Sequence, residues 1–301
     1  MEHSHVKNLI NLGYLVDESI AGMVEELNED QFYSLVEDAK KENPFMINHE
    51  MVFKAKSSGV KIIKSLSPVD RFTVQDVVRS LNERFSALQS ILLRRVEFSD
   101  MVSINKLSSG SVSIIGLVKD KVERDNDILV TMEDSTGDVQ VIIPKNIGER
   151  LCLDDVIAVS GNVSGKTLLA DKLVYPDVPI RPVKYSTESV KVAFLSEDKD
   201  CGADYLVYKN RILDNIKKKD CRITCPCMYE LEGVLIMNLL GFNPLDIIRK
   251  RYLSKDSTDF IIDPVPDIIF TDKEVNSNYK GITIVSLNKA VDLKTREVSD
   301  I

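Results

Sequence analysis

The apolar residues of this chain change their spacing once, near residue 111, and that change constrains the fold more than any other feature. Before it they recur three and four positions apart, the spacing of helices that pack one face on a core. From Ser111 to Tyr175 they alternate or run in short β-rich segments. After the proline-rich stretch 176–187, strand-like apolar runs return between polar segments. The pattern predicts structural regions of different character joined in series.

The alternating region predicts one small barrel. Its strand-like segments are SVSIIGLVKDKV, DILVTMED, DVQVIIP, DVIAVSGNV and KTLLADKLVY. Five short strands with a break after the third match the Greek-key barrel called the OB-fold. Many such barrels bind single strands through a basic groove and stacked aromatics. Residues 111–175 hold seven Lys or Arg against eleven Asp or Glu, and Tyr175 is their one aromatic residue. We therefore expect a structural or protein-docking barrel, with single-strand binding as the alternative.

Helical regions precede the barrel. Residues 1–52 predict a helical N-terminal domain with N-caps at Asp17 and Asn28 and the apolar residues Ile20, Met23, Val24, Leu27, Phe32, Leu35 and Val36. Residues 53–70 carry four lysines with Ser, Gly and Pro, which predicts a solvated linker, or alternatively a nucleic-acid contact. Residues 71–110 predict a helical connector that packs on the barrel. Its helix begins at Thr73 with Asp76 as a capping-box partner, and we expect its apolar stripe from Val74 to Leu92 to be core.

The region after the barrel predicts a layered α/β domain. Residues 176–187 form a proline-rich linker, and residues 188–301 contain the strand-like stretches VKVAFLS, GVLIMNLL, DFIID, DIIF and GITIVSL. The segment DYLVYKNRILDNIKKK predicts an amphipathic helix, and NPLDIIRK a shorter one. The predicted fold class is thus multidomain: a small helical N-terminal domain, an OB-fold β-barrel and an α/β C-terminal domain.

Composition excludes several classes of protein. With 301 residues, 44% of them hydrophobic, the chain is long enough for two or three folded domains. Its apolar runs, such as Leu235 to Leu240, are far shorter than the ~20 residues that cross a bilayer, and MEHSHVKN is no signal peptide. Five cysteines fit a reducing compartment, and a net charge of -8 argues against a surface that coats DNA. We expect a cytoplasmic protein without a membrane partner.

Several elements in order carry a resemblance to a known family. These are the helical head, the helix around FTVQDVVRSLNERFSALQSILLRR, the barrel ending LLADKLVYPDVP, and the strand VKVAFLS. Together they resemble the small subunits of archaeal family D DNA polymerases, which are related to the B-subunits of eukaryotic replicative polymerases. The segments DPVPDIIFTDKEVNSNYKGITIVSLNKA and VDLKTREV resemble the end of the calcineurin-like phosphoesterase domain of those subunits.

The resemblance implies a two-metal 3′–5′ exonuclease site, and the residues present argue against it. In active members VAFLS runs into Asp-x-His, whereas here Glu197, Asp198 and Lys199 follow, with the lysine at the histidine position. Alignment through PDI places Phe270, Lys273 and Val275 at the later histidine positions. The chain's histidines are His3, His5 and His49, so residues 50–301 contain no imidazole to bind metal. Compared with the family, the central part of the phosphoesterase domain with its two further motifs is missing.

We therefore predict degenerate catalytic positions at Glu197, Lys199, Phe270, Lys273 and Val275, with no cofactor and no metal site. Weak metal candidates are Glu197, Asp198 and Asp272, with Asp200 and Glu274 nearby. The resemblance implies a large catalytic polymerase subunit as partner, with DNA reached through the holoenzyme. The predicted function is an accessory polymerase subunit. The alternatives are a Mg²⁺- or Mn²⁺-dependent exonuclease with a rearranged carboxylate site and a single-strand-binding barrel.

Three further motifs have structural and functional interpretations. GNVSGKT, from Gly161 to Thr167, is one residue short of a phosphate-binding loop and is better read as a β-hairpin turn. Cys221, Cys225 and Cys227, with Cys201, lack the paired spacing of a zinc site, which favours buried or free thiols. Basic residues 249–251 are expected to end a helix, with a DNA-backbone contact as the alternative.

Overall fold

The structure is a computed structural model and consists of two compact units, Met1–Lys61 and Ile62–Ile301. It describes residues 4–301 except 28, 43, 50, 53–54, 56–59, 67–72, 96–100, 198, 200, 217–218 and 256–257. The predicted N-cap Asn28, much of the predicted linker 53–70, and the carboxylates Asp198 and Asp200 lie outside the described residues. No described helix is long and apolar enough to cross a membrane.

The described part of the first unit includes three helices and a short parallel strand pair. The helices are α1 (His5–Asn11), α2 (Glu18–Glu25) and α3 (Glu29–Glu42), and β1 (Leu15–Val16) pairs with β2 (Met46–Ile47). Asp17 caps α2 by accepting a hydrogen bond from the Ser19 backbone N–H, and the Ser19 contacts lower the pKa of this exposed carboxyl. Six of the seven apolar residues predicted for this core are buried, and Met23 is half-buried. His5 stacks on Phe32 at 4.3 Å and its Nε2 lies 2.9 Å from the Leu27 carbonyl oxygen, so this imidazole has a packing role.

The second unit contains a closed five-stranded barrel, as predicted. Its strands are β4 (Gly110–Glu123), β5 (Asp127–Asp134), β6 (Gly137–Pro144), β7 (Val156–Ser164) and β8 (Thr167–Val174), with the short helix α5 (Lys145–Gly148) after the third. They close in the order β4-β5-β6-β8-β7, so that only β6 and β8 are parallel. This order is the Greek-key arrangement of an OB-fold. Alternate apolar residues of all five strands fill the interior.

The close approach of two strands explains why the GNVSGKT motif begins with a glycine, Gly161. It lies at a bulge where β7 pairs with β8, and a Cβ atom built there would stand 1.9 Å from the backbone oxygen of Leu169. The second glycine, Gly165, has a φ of +65° in the turn between the two strands, with open space around it. The hairpin prediction is confirmed, because strand approach and turn geometry account for both glycines.

A long helix, α4 (Val74–Leu93), precedes the barrel. Thr73 caps it and forms the predicted capping box with Asp76. Leu88 and Leu92 are buried against barrel residues such as Ile115 and Leu117. The expectation that the whole stripe is core is wrong for its first turns, where Val74, Val77 and Val78 are exposed.

Outside the barrel, the described residues also include two six-stranded sheets, whose strands are given below. The first has the order β12-β11-β10-β9-β20-β21 and the second β18-β19-β17-β14-β13-β3. Strands of the first sheet are β9 (Lys191–Phe194), β10 (Tyr205–Val207), β11 (Arg211–Asp214), β12 (Lys219–Arg222), β20 (Lys289–Asp292) and β21 (Val298–Asp300). Strands of the second are β3 (Lys61–Ser65), β13 (Cys227–Leu231), β14 (Val234–Leu239), β17 (Ile268–Thr271), β18 (Ser277–Tyr279) and β19 (Ile282–Ser286). The hairpin β15 (Tyr252–Lys255) and β16 (Thr258–Ile261) follows the helix α6 (Pro244–Lys250).

The predicted amphipathic helix over DYLVYKNRILDNIKKK is wrong. The segment contains the antiparallel pair β10 and β11, followed by β12. Its apolar residues fit a helical spacing, but Lys209 and Asn210 form a tight turn that the Tyr208 N–H closes by donating to the Arg211 carbonyl oxygen. Within the described part of residues 188–301, α6 is the only helix. The C-terminal region is therefore mostly sheet, which corrects the predicted alternation of helices and strands.

The two glycines of the hairpin provide a stability test. Gly161→Ala should destabilise the barrel by about 3 kcal/mol or more, because the new methyl group must displace backbone. Gly165→Ala should destabilise it by only about 1 kcal/mol, since its penalty is the positive φ alone. Urea unfolding of both variants measures the difference, and equal losses would contradict this account of Gly161.

Candidate functional site

Glu197 and Lys199 follow β9 at the surface. Both side chains are exposed, and the preceding Ser196 is held by Asn288, whose Oδ1 accepts from the Ser196 backbone N–H at 3.2 Å and from its hydroxyl at 3.1 Å. Lys199 donates from Nζ to the Ile301 carbonyl oxygen at 3.0 Å. The lysine ammonium is thus directed to a backbone oxygen at the position where the resemblance places a histidine ligand. An ammonium group has no lone pair for a metal.

Phe270 lies in the core between the two sheets. It is fully buried in β17, and its ring stacks on Phe194 of β9 with centroids 5.1 Å apart. Since these strands belong to different sheets, the aromatic pair joins the sheets near the ends of both strands. An apolar contact therefore stands at Phe270, where the resemblance places a histidine.

The loop after β17 is held by hydrogen bonds to its own backbone and to neighbouring loops. Both carboxylate oxygens of Asp272 accept from the Gly241 N–H, at 3.0 and 3.1 Å. Lys273 donates its N–H to Thr271 Oγ1, and Val275 donates its N–H to Ser286 Oγ. The weak metal candidate Asp272 therefore has a structural partner.

Metal-binding side chains do not gather in the described part of the chain. No group of three or more His, Cys, Asp or Glu residues there could hold an ion. Glu197 is exposed, and Asp198 lies outside the described residues. Loss of the metal site remains a prediction.

The cysteines are all free thiols. Cys227 is buried in β13, and burial raises the pKa of its thiol well above the usual range. Burial also raises the pKa of the Cys221 thiol. Cys225 donates from its thiol to the Asn238 carbonyl oxygen at 3.4 Å. Raised thiol pKa values favour the protonated form, which is a poor metal ligand.

The sequence analysis did not predict one cluster of charged and polar side chains. This cluster joins α4 and the barrel to the region of α6 and the β15–β16 hairpin. We call it the Tyr252 junction: Arg84, Asp155, Lys250, Tyr252 and Asp259. The Lys250 ammonium lies 2.8 Å from Asp155 Oδ1, and the Tyr252 hydroxyl lies 3.2 Å from the same oxygen. The Arg84 guanidinium lies 4.5 Å from the centre of the Tyr252 ring and 3.3 Å from Asp259 Oδ1.

Burial controls the charges at the Tyr252 junction. It raises the pKa of the Asp155 carboxyl, although Lys250 and the backbone N–H of Cys152 counteract it. Burial lowers the pKa of Lys250, but the hydrogen bond and attraction of Asp155 outweigh burial and leave that pKa raised. Asp155 and Lys250 therefore stabilise each other's charge in a site where either charge alone would be strongly disfavoured.

The basic run 249–251 contributes to this same region. As predicted, α6 ends there, with Arg251 as a left-handed C-cap at φ +61°. Lys250 pairs with barrel residue Asp155, and the buried Arg251 donates from Nε to the Ile262 carbonyl oxygen. Two of these three cations thus hold the unit together, which weakens the alternative of a DNA-backbone contact.

Removing the Lys250 charge tests the Tyr252 junction. Lys250→Met should destabilise the chain by about 3–5 kcal/mol at about pH 8, because it leaves a buried carboxylate without its ion-pair partner. Burial raises the folded-state pKa of Asp155, so the loss should grow as pH rises through that pKa and should be smaller at about pH 5 than at about pH 8.

Urea unfolding at both pH values measures the effect. Lys166→Met, which alters an exposed lysine in the β7–β8 turn, is the matched control and should change stability by less than about 0.5 kcal/mol. A Lys250→Met loss that is equal at both pH values would contradict the assigned charge state.

Comparison with known proteins gives relatives of one kind. No protein-family model matches the chain. The DNA polymerase II small subunit of Archaeoglobus fulgidus is 30% identical over 149 residues, which cover 48% of this chain and 30% of that protein. The subunit of the same name from Pyrococcus abyssi is 32% identical over 200 residues, covering 60% of this chain and 32% of that protein. The chain spans about a third of the length of these curated relatives.

Similarity to solved structures is confined to about a quarter of the chain. A domain of replication protein A from Methanococcus maripaludis is 17% identical, covers 24% of this chain and 91% of that chain, and has a TM-score of 0.23. An OBody bound to hen egg-white lysozyme covers 26% of this chain with a TM-score of 0.24. The sequence matches confirm the resemblance: the chain is similar to archaeal DNA polymerase II small subunits over as much as 60% of its length.

Proposed function

We propose that this chain is a cytoplasmic accessory subunit of an archaeal family D DNA polymerase. It would bind the large catalytic subunit, reach DNA through the holoenzyme, and contribute binding surface and position instead of nuclease chemistry. The observation that carries the proposal is the similarity to DNA polymerase II small subunits over as much as 60% of this chain.

The Tyr252 junction supports a scaffolding role. It ties α4 and the barrel to the region around α6 and the β15–β16 hairpin through ion pairs and the apolar core around Leu88, Leu92 and Tyr252. A partner that contacts one of these elements meets a surface whose geometry is fixed by the others. Fixed geometry lowers the ordering penalty of association.

The side chains at the degenerate positions support the absence of nuclease activity. The Lys199 ammonium lies on a backbone oxygen, the Phe270 ring is fully buried, and Asp272 accepts from a backbone N–H. Two-metal hydrolysis needs ligands that hold two ions about 3.5–4 Å apart. We propose that this chemistry has been lost, with no metal cofactor retained.

The two alternatives have weaker support. A rearranged carboxylate site that binds Mg²⁺ or Mn²⁺ would rest on Glu197 and Asp272, which belong to no group of three or more metal-binding side chains among the described residues. A single-strand-binding barrel would need exposed aromatics, but the hydroxyl of Tyr175 is buried and burial raises its pKa. The accessory role remains the best supported.

Co-expression with the matching large subunit tests the proposal. We expect the two chains to co-purify as a stable complex. The isolated chain should hydrolyse no 3′-labelled single-stranded DNA with Mn²⁺ or Mg²⁺, and should retain no divalent metal in elemental analysis, because those candidate ligands that the structure describes form no metal-binding cluster.

Two variants locate the source of any nuclease activity in the complex. The double variant Glu197→Gln, Asp272→Asn alters the candidate carboxylates, and Glu149→Gln alters an exposed carboxylate in the barrel as the control. Any nuclease activity of the complex should be the same with the double variant as with the control variant. Failure of the chains to associate would overturn the accessory role, and Mn²⁺-dependent hydrolysis lost only in the double variant would establish the exonuclease alternative.

A further inference from the structure

A pocket of about 690 Å³ opens where α4, the segment after the barrel and the loop after β16 meet. Four cationic side chains line it: Arg94 and Arg95 from the end of α4, Arg251 from the end of α6, and Lys280 from the turn before β19. Two carboxylates, Asp177 and Asp263, also line it. We call it the Arg251 pocket. Its lining has an excess of positive charge in a chain whose net charge is -8.

Asp177 is fully engaged within the protein. Its Oδ2 accepts from the Tyr279 hydroxyl at 2.6 Å and from Lys280 Nζ at 2.7 Å. Lys280 also donates to the Val178 carbonyl oxygen. This pair neutralises one side of the pocket and leaves three arginines, Arg94, Arg95 and Arg251, against the one remaining carboxylate, Asp263.

Arg251 is buried with part of its hydrogen-bonding capacity unused. It is 4% exposed, and it donates from Nε to the Ile262 carbonyl oxygen and from Nη2 to Asp263 Oδ1 at 3.4 Å. Its Nη1 group has no hydrogen-bond partner among the described residues. Burial and the nearby Arg181 lower the pKa of Arg251, while Asp263 and Asp177 raise it. A buried guanidinium of this kind gains from an added carboxylate, because its unused Nη1 N–H groups can donate charge-assisted hydrogen bonds to it.

Arg94 supplies a second cation at the opening of the pocket. Its side chain is exposed and makes no hydrogen bond or ion pair with any residue that the structure describes. A negatively charged group bound in this pocket would therefore pair with Arg94 without displacing a described partner.

The remaining lining is aliphatic. It comprises Ile91, Val178, Pro179, Ile180 and Val265, and no aromatic side chain from the described residues contributes. Ile180 is 86% exposed, although it follows the fully buried Val178 by only two positions. Aliphatic walls suit leucine-like side chains, whereas nucleobases bind by stacking on aromatic rings.

We propose that the Arg251 pocket binds an acidic segment of a partner protein, in which aspartate or glutamate alternates with aliphatic residues. Carboxylates would pair with Arg94 and Arg251, and a neighbouring aliphatic side chain would pack on Ile91 and Ile180. This inference goes beyond the proposed function, because it rests on the chemistry of the pocket and not on the identity of the polymerase subunit.

Fluorescence anisotropy with the full chain tests the proposal at about 0.15 M salt. The probe is a fluorescein-labelled peptide of alternating aspartate and leucine, and the control peptide has asparagine in place of aspartate. We expect the acidic peptide to bind at least about tenfold more tightly, since charge-assisted hydrogen bonds to arginine are lost in the control.

Protein variants place the binding in the pocket. Arg94→Glu and Ile180→Asp alter exposed side chains, so both should fold, and each should weaken the acidic peptide at least about tenfold. Lys166→Glu makes the same charge change as Arg94→Glu on the barrel hairpin and should leave binding unchanged. Equal binding of both peptides, or no effect of Arg94→Glu, would overturn the proposal. Preference for a labelled oligothymidylate that weakens steeply with salt would assign the pocket to nucleic acid instead.

Discussion

Tyr252 is the residue on which the arrangement of the second unit depends. Its ring packs in a core shared with α4 and the barrel, and it lies under the Arg84 guanidinium. Its hydroxyl reaches Asp155, which in turn holds Lys250. Buried ion pairs add little net stability, but each charge is costly once its partner moves away. We infer that the Tyr252 junction fixes the relative position of elements far apart in the chain.

The second constraint is the aromatic contact between the two sheets. Phe194 and Phe270 stack near the ends of β9 and β17, and Phe270 is one of the positions that we predict to be degenerate. Apolar packing stabilises the sheets against each other at that place, whereas a metal site would require polar groups and water. Together with the Tyr252 junction, this contact fixes the positions of the surfaces that a partner protein would bind.

The barrel was predictable because alternating apolar residues and turn glycines determine strands locally. The segment from Tyr205 to Asp214 was not, since its spacing fits a helix and a hairpin equally, and the turn at Lys209 and Asn210 decides between them. The Tyr252 junction could not be read from the pattern, because Arg84 and Asp259 are 175 positions apart. One signal was present: Arg84 lies four residues before Leu88 on the apolar face of α4, and a charge there requires a buried partner.

Native-state hydrogen exchange of the isolated chain tests most directly whether the Tyr252 junction makes the barrel and the sheets one cooperative body. Amides of β4 and β7 in the barrel and of β14 and β17 in the second sheet would be followed at increasing denaturant. The account predicts that both sets open with the same free energy and the same denaturant dependence, as parts of one unfolding unit do. A barrel that exchanges at a distinctly lower or higher free energy than the sheets would contradict it.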